Sequence, residues 1–195
     1  AASTITATGT ITYTYNGSAQ GPATNTKTGS AGAVTYSYSG TGTTTYGPSA
    51  TLPTNAGTYK VIATLASDNN YDGAVSSDYA FNINKASSTI AATGTTTYTY
   101  NGSTQGPSSN TKTGSTGAVT YSYSGTGSTN YSATSTLPKD VGTYQVIAIV
   151  ASDANYESAS STPLEFTINK AASTITATGT ITYTYNGSAQ GPATN

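Results

Sequence analysis

Gly57-Thr58-Tyr59-Lys60-Val61-Ile62-Ala63-Thr64-Leu65 returns 85 positions later as Gly142-Thr143-Tyr144-Gln145-Val146-Ile147-Ala148-Ile149-Val150. From Tyr59 to Leu65 the run is rich in β-branched and apolar residues and holds no Gly or Pro, and reads as a β-strand. Asn55-Ala56-Gly57 is the turn that leads into it. Working outward, Val34-Thr35-Tyr36-Ser37-Tyr38 and Thr12-Tyr13-Thr14-Tyr15 have the same strand character, and no stretch shows a useful helical period. Asn16-Gly17 predicts a type I′ hairpin, while Gly21-Pro22 and Leu52-Pro53 break strands. Short strands separated by turns at close intervals predict an all-β sandwich of about seven strands per unit. Its expected core is Ile5, Tyr36 or Tyr38, Leu52, Tyr59, Val61, Ile62, Leu65, Phe81 and Ile83.

The 85-residue spacing holds along the whole chain. Residues 1–85 align with 86–170 without a gap and agree at 57 positions, and residues 171–195 reproduce 1–25 without a change. A fixed period of this kind makes the repeat the folding unit. The expected organisation is therefore two complete units, 1–85 and 86–170, with residues 171–195 opening a third in a longer tandem array. No Gly- or Ser-rich linker separates Lys85 from Ala86, so adjacent units are expected to lie end to end with limited swing.

Composition narrows the chemistry. The 195 residues include six Lys, no Arg, seven acidic residues and no His, Cys, Met or Trp. Charged residues make up 7% of the chain against about 25% in an ordinary soluble domain. Hydroxyls and amides must therefore wet the surface. The net charge of −1 and the singly scattered lysines offer no basic patch for nucleic acid. Imidazole bases, thiol nucleophiles and His or Cys metal ligands are all missing, and the remaining Asp, Glu, Lys and Ser form no visible cluster, so no enzyme and no cofactor are expected. No run of about 18 apolar residues is long enough to span a bilayer as a helix.

Asn55-Ala56-Gly57-Thr58-Tyr59-Lys60-Val61 and Asp140-Val141-Gly142-Thr143-Tyr144-Gln145-Val146 resemble the Asp-x-Gly-x-Tyr-x-Cys start of strand F in immunoglobulin-like domains, with Val61 and Val146 in the Cys position. That resemblance gives Tyr59 and Tyr144, with Gly57 and Gly142, a structural role as a tyrosine corner. The whole unit resembles the bacterial immunoglobulin-like tandem repeats, of MBG or YDG type, found in giant surface adhesins. The residues that carry this likeness are Tyr15-Asn16-Gly17-Ser18, Ala56-Gly57-Thr58-Tyr59, Asp68-Asn69-Asn70-Tyr71-Asp72-Gly73-Ala74 and Phe81-Asn82-Ile83-Asn84-Lys85-Ala86. It implies tandem immunoglobulin-like β-sandwiches in an end-to-end rod, on or outside a bacterial cell, with a β-grasp unit as the alternative fold.

Several segments have the residue types of a site. Asp68-Asn69-Asn70-Tyr71-Asp72-Gly73 matches the first half of a calcium loop, making Asp68, Asn70 and Asp72 candidate ligands, with Asp153, Asn155 and Glu157 in the second unit. No Glu stands at the twelfth position, and a self-capped polar hairpin accounts for the same residues. Asn16, Asn101, Asn130 and Asn186 open formal glycosylation sequons. Lys27 with Lys112, Asn84 with Asn169 and Asp68 with Asp153 recur as the residue types of an intramolecular isopeptide bond. Alternating Thr, as in Thr4-Ile5-Thr6, and the paired Tyr36, Tyr38, Tyr121 and Tyr123 offer hydroxyl arrays and stacking surfaces, although Thr on a wet strand and Tyr in a sandwich need no ligand. The leading expectation is a structural stalk or filament segment whose partners are neighbouring repeats. The competing one is a multivalent module that binds glycans, other filaments or surfaces.

Overall fold

The computed structural model describes residues 1–179 and 181–192. Each unit carries seven strands. In the first they are β1 (Thr4–Thr8), β2 (Thr12–Thr14), β3 (Thr24–Thr28), β4 (Val34–Gly40), β5 (Gly57–Leu65), β6 (Ala74–Val75) and β7 (Tyr79–Asn84). In the second they are β8 (Thr89–Thr93), β9 (Thr97–Thr99), β10 (Ser109–Thr113), β11 (Val119–Gly125), β12 (Gly142–Val150), β13 (Ala159–Ser160) and β14 (Leu164–Asn169). Among the described residues there is no helix, and therefore none of the helix that a β-grasp unit lays on its sheet.

In unit one the main sheet runs β2-β7-β5-β4, with β6 extending the β7 side of β5, and β1 and β3 form a separate two-stranded layer. β2 lies parallel to β7, pairing Tyr13 with Ile83, and all other ladders of the unit are antiparallel. The second unit repeats this topology strand for strand. Asn16-Gly17 therefore does not close a hairpin, because β2 pairs with β7 while β3 crosses to pair with β1. Gly17 alone takes a positive φ of 80°, and Asn16 accepts the Ser18 N–H on its side-chain oxygen at 2.9 Å, so the turn is an Asx turn rather than type I′.

The core follows from the period of two on β5. Tyr59, Val61, Ala63 and Leu65 point inward and are buried, whereas Lys60 and Ile62 lie on the other face and are half-buried. Ile62 thus leaves the expected core, and Ala7 and Ala63 join it. Its centre is aromatic. Phe81 stacks on Tyr59 at 5.4 Å and takes the edges of Tyr13 and Tyr38 at 6.1 and 6.2 Å, and Phe166 is surrounded in the same way by Tyr144, Tyr98 and Tyr123. Such ring pairs contribute about 0.5–1.5 kcal/mol each beyond area burial, a useful supplement where aliphatic residues are few. The buried Tyr38 hydroxyl donates to the Pro22 carbonyl at 2.9 Å, so the core hides no unpaired phenol there.

Where β6 gives way to β7 the ladder is offset by one residue, since Leu65 pairs with Ala74 but Val61 with Tyr79. Ser76 fills the gap: its hydroxyl accepts the Ala63 N–H at 2.9 Å, and Ser161 does the same for Ala148. Beyond Lys170 no strand is formed among the described residues, and Ile175 is 78% exposed where its counterpart Ile5 is 7%.

Candidate functional site

Strand directions sort the loops of each unit to two ends. β5 starts at Gly57, while β2 and β7 run antiparallel to it and finish at Thr14 and Asn84. Tyr15, Asn55, Ala56 and Lys85 consequently share one end, here called lower. Leu65 closes β5 at the upper end, where the loop 68–72 meets the chain start: the Ala1 ammonium donates to the Asn70 carbonyl at 2.9 Å and the Asp72 N–H to the Ala1 carbonyl at 2.8 Å. In the second unit Ala86 makes the matching contacts with Asn155 and Glu157.

The upper loops are organised by their aspartates. Asp68 Oδ1 accepts the N–H groups of Asn70 and Tyr71 at 2.8 and 2.9 Å, and Oδ2 accepts Ala31 N–H at 2.7 Å. Asp153 repeats the pattern with Asn155, Tyr156 and Thr116. These backbone donors, led by Thr116 and Asn155, hold the Asp153 carboxyl well below the usual carboxylate range, and Asn70 and Ala31 lower Asp68 likewise. Both oxygens of each carboxylate thus serve N–H groups of their own unit. No group of three or more His, Cys, Asp or Glu gathers among the described residues.

The loop of the second unit also reaches the first. Asn155 Oδ1 accepts the Ala56 N–H at 2.9 Å, and Asn155 Nδ2 donates to Asn55 Oδ1 at 3.2 Å. Lys85 Nζ donates to the Asp153 carbonyl at 2.6 Å. The rings of Tyr15 and Tyr156 meet edge to face at 5.3 Å. Of the six candidate calcium ligands, Asp153 and Asn155 therefore sit in a joint between units, with Glu157 lining the groove of about 1150 Å³ beside it. In the first unit, Asp68, Asn70 and Asp72 form the corresponding free upper loop. Sequence reasoning picked out Asn155 for its oxygen and missed the partners Asn55, Ala56 and Tyr15; of these only Tyr15 recurs unchanged, as Tyr100, at the lower end of the second unit.

The tyrosine corner belongs to this lower end. Tyr59 Oη donates to the Asn55 carbonyl at 2.7 Å and Tyr144 Oη to Asp140 at 2.8 Å. A Cβ on Gly57 would stand 2.8 Å from the Thr44 side chain and 3.1 Å from Tyr59 Oη, which explains the glycine through close approach. The corner pins the turn that presents Ala56 to Asn155. Burial pushes the hydroxyls of Tyr59 and Tyr144 up from their ordinary value.

The MBG domain family matches residues 2–87 and again 89–172, one match on each of the two sandwich-like units. The chain belongs to the MBG domain family. No curated protein and no solved structure matches it.

The other sequence candidates lie apart from the joint of these MBG units. Asn101 and Asn186 cap the Ser103 and Ser188 N–H groups, as Asn16 caps Ser18. Lys27 donates to the Gly32 carbonyl and Lys112 to Ser115 and Gly117, while the Asn84 side-chain oxygen accepts from Asn82; all three residues are exposed, and the structure does not assemble the buried trio an isopeptide needs. Thr4 and Thr8 pair their hydroxyls with Thr28 and Thr24 across the β1–β3 ladder. Tyr38 and Tyr123 are buried, and the half-buried Tyr36 and Tyr121 accept Asn25 and Asn110 amides on their hydroxyls.

Proposed function

We propose that the chain is a spacer segment of an extracellular bacterial surface protein, an adhesin or filament in which MBG units stack end to end as a stiff stalk. The observation that carries this reading is the joint itself. Only residues 85–88 lie between β7 and β8, and Lys85, Asn155 and the Tyr15–Tyr156 pair tie the two units across that step. A connection this short and this bonded suits transmission of force along the chain better than free rotation of beads. Units agreeing at 57 of 85 positions suit a stalk whose length changes by gain or loss of repeats. The sparsely charged, hydroxylated surface suits a passive spacer in contact with solvent. A glycan-binding role loses support, because the paired tyrosines it would use are buried or engaged by Asn side chains.

Two measurements test the proposal. Strands of nine residues span roughly 30 Å, so two stacked units should give a scattering profile with a maximum dimension of about 80–90 Å and little flexibility; a profile of independently moving beads would count against the stalk. Antibodies against the repeat should label intact cells and lose that signal after protease shaving. Labelling only after cell lysis would overturn the surface assignment.

A further inference from the structure

The two surfaces that meet at the joint exist a second time in the chain, apart from each other. The lower end of the second unit carries Tyr100, Asp140, Val141 and Lys170 at the positions of Tyr15, Asn55, Ala56 and Lys85. The upper end of the first unit carries Asp68, Asn70 and Tyr71 at the positions of Asp153, Asn155 and Tyr156. Apart from Asn55, which stays exposed within the joint, exposure separates the engaged residues from the free ones. Tyr15, Ala56, Lys85, Asp153, Asn155 and Tyr156 are half-buried, whereas Tyr100, Val141, Lys170, Asp68, Asn70 and Tyr71 are all exposed. Tyr100, Val141 and Tyr71 are 37%, 42% and 39% exposed and rank among the large apolar side chains left open to solvent.

We infer that the lower face of the second unit, formed by Tyr100, Asp140, Val141 and Lys170, is a docking surface for the Asp-x-Asn-Tyr upper loop of a further MBG unit that follows in line from Ala171. The inference deepens the end-to-end reading proposed above and rests on it. Continuity with the observed joint fixes the contacts. The incoming loop Asn accepts the Val141 N–H on its Oδ1 and donates its amide to Asp140, its Tyr packs on Tyr100, and Lys170 donates to its Asp carbonyl. The occupant is a following unit because Ala171-Ala172-Ser173-Thr174-Ile175 repeats the segment that enters unit one and has the place that Ala86 takes in unit two. One chemical difference makes this second face more than a copy. Where unit one offers the neutral amide oxygen of Asn55, unit two offers the carboxylate of Asp140, so the bond to the incoming amide becomes charge-assisted and shorter. Positions 55 and 140 thereby tune the strength of each joint separately from the fold of either unit.

Residues 171–195 equal 1–25, so appending a copy of residues 26–85 to Asn195 completes a third unit on the intact chain. Amide exchange in the extended chain then reads the new joint against the old. The expected result is that Val141 N–H, open in the 195-residue chain, slows by about tenfold or more on extension, a factor corresponding to one net hydrogen bond. Replacing the appended copy of Asn70 by Ala should restore fast exchange at Val141, while amides in the appended copy of β5 stay protected and show that the third unit remains folded. Val141 exchanging equally fast with and without the extension, while Ala56 is protected in both, would overturn this inference alone. Ala56 unprotected in both chains would bring down the end-to-end reading with it. Protection of Val141 in the unextended chain that grows with protein concentration would make the occupant a second molecule and overturn the in-line assignment.

Discussion

Asn155 Oδ1 accepts the backbone N–H of Ala56 at 2.9 Å, joining a loop of one unit to the turn before β5 of the other, 99 residues away. The same side chain donates to Asn55, so one amide makes two of the side-chain bonds of the joint, beside the one from Lys85. Asn155→Ala removes both and leaves the Ala56 N–H for water. Each such bond is worth a net ~0.5–1.5 kcal/mol, enough to loosen a joint and too little to unfold a unit. Residual dipolar couplings should fit a single alignment tensor for both units in the parent chain and require two in Asn155→Ala. A single shared tensor in the variant would mean that Lys85 and the tyrosine pair suffice.

Asp68 and Asp153 have carboxyls held low by backbone N–H donors, led by Asn70 in the first loop and Thr116 in the second. A depressed folded-state value places their contribution above the unfolded carboxylate range near pH 4, and the contribution is lost as pH falls below it. Asp153→Asn should lower stability at neutral pH and flatten the acid limb of a stability curve. Because the oxygens serve N–H groups, adding calcium or chelator should leave the melting midpoint in place; a rise of several degrees with calcium would show the loop to be a cation site.

Tyr38 has its hydroxyl pushed up to about 12, first by burial and then by its neighbours Tyr36 and Tyr13, and Tyr123 is raised for the same leading reason. A raised folded-state value gives stability that is complete below the unfolded value near pH 10 and lost as pH climbs towards 12. Unfolding should therefore set in across that window and coincide with the ultraviolet signal of tyrosinate formation. Tyr38→Phe should move the transition of its unit to higher pH. An unchanged alkaline midpoint would assign the loss to other groups.

Val61 and Ile62 are neighbours on opposite faces of β5, the first fully buried and the second half-buried. Val61→Thr places a hydroxyl in the aromatic core and should cost about 1–3 kcal/mol. Ile62→Thr keeps β-propensity on the outer face and should cost under about 1 kcal/mol. Urea midpoints at matched slopes decide the comparison, and a larger loss at Ile62 would place the core on the wrong side of the sheet.

Much of the fold was legible because it rests on local rules. The strand character of 59–65 and 34–38, the breaks at Gly21-Pro22 and Leu52-Pro53, and the period of 85 residues all follow from neighbouring side chains and from self-comparison. The Asn16-Gly17 turn failed as a hairpin signal because a turn reports only its own backbone, and cannot say that β2 will leave to pair in parallel with β7. Ile62 failed as a core residue for a related reason: hydrophobicity alone does not say which face of a strand is inside, and Tyr59, Val61 and Leu65 outvote it.

The candidate site was half legible. Asp153 and Asn155 stood out as clustered oxygens, but their chemistry depends on what approaches them. Sequence by itself determined the units, their alternation and the residue types at each end, since these are properties of spacing and composition. Only the tertiary structure decided that the carboxylates turn inward to their own N–H groups while Asn155 turns outward to Ala56. That choice is made by antiparallel strands bringing residues 68, 69 or 99 positions apart within hydrogen-bond reach.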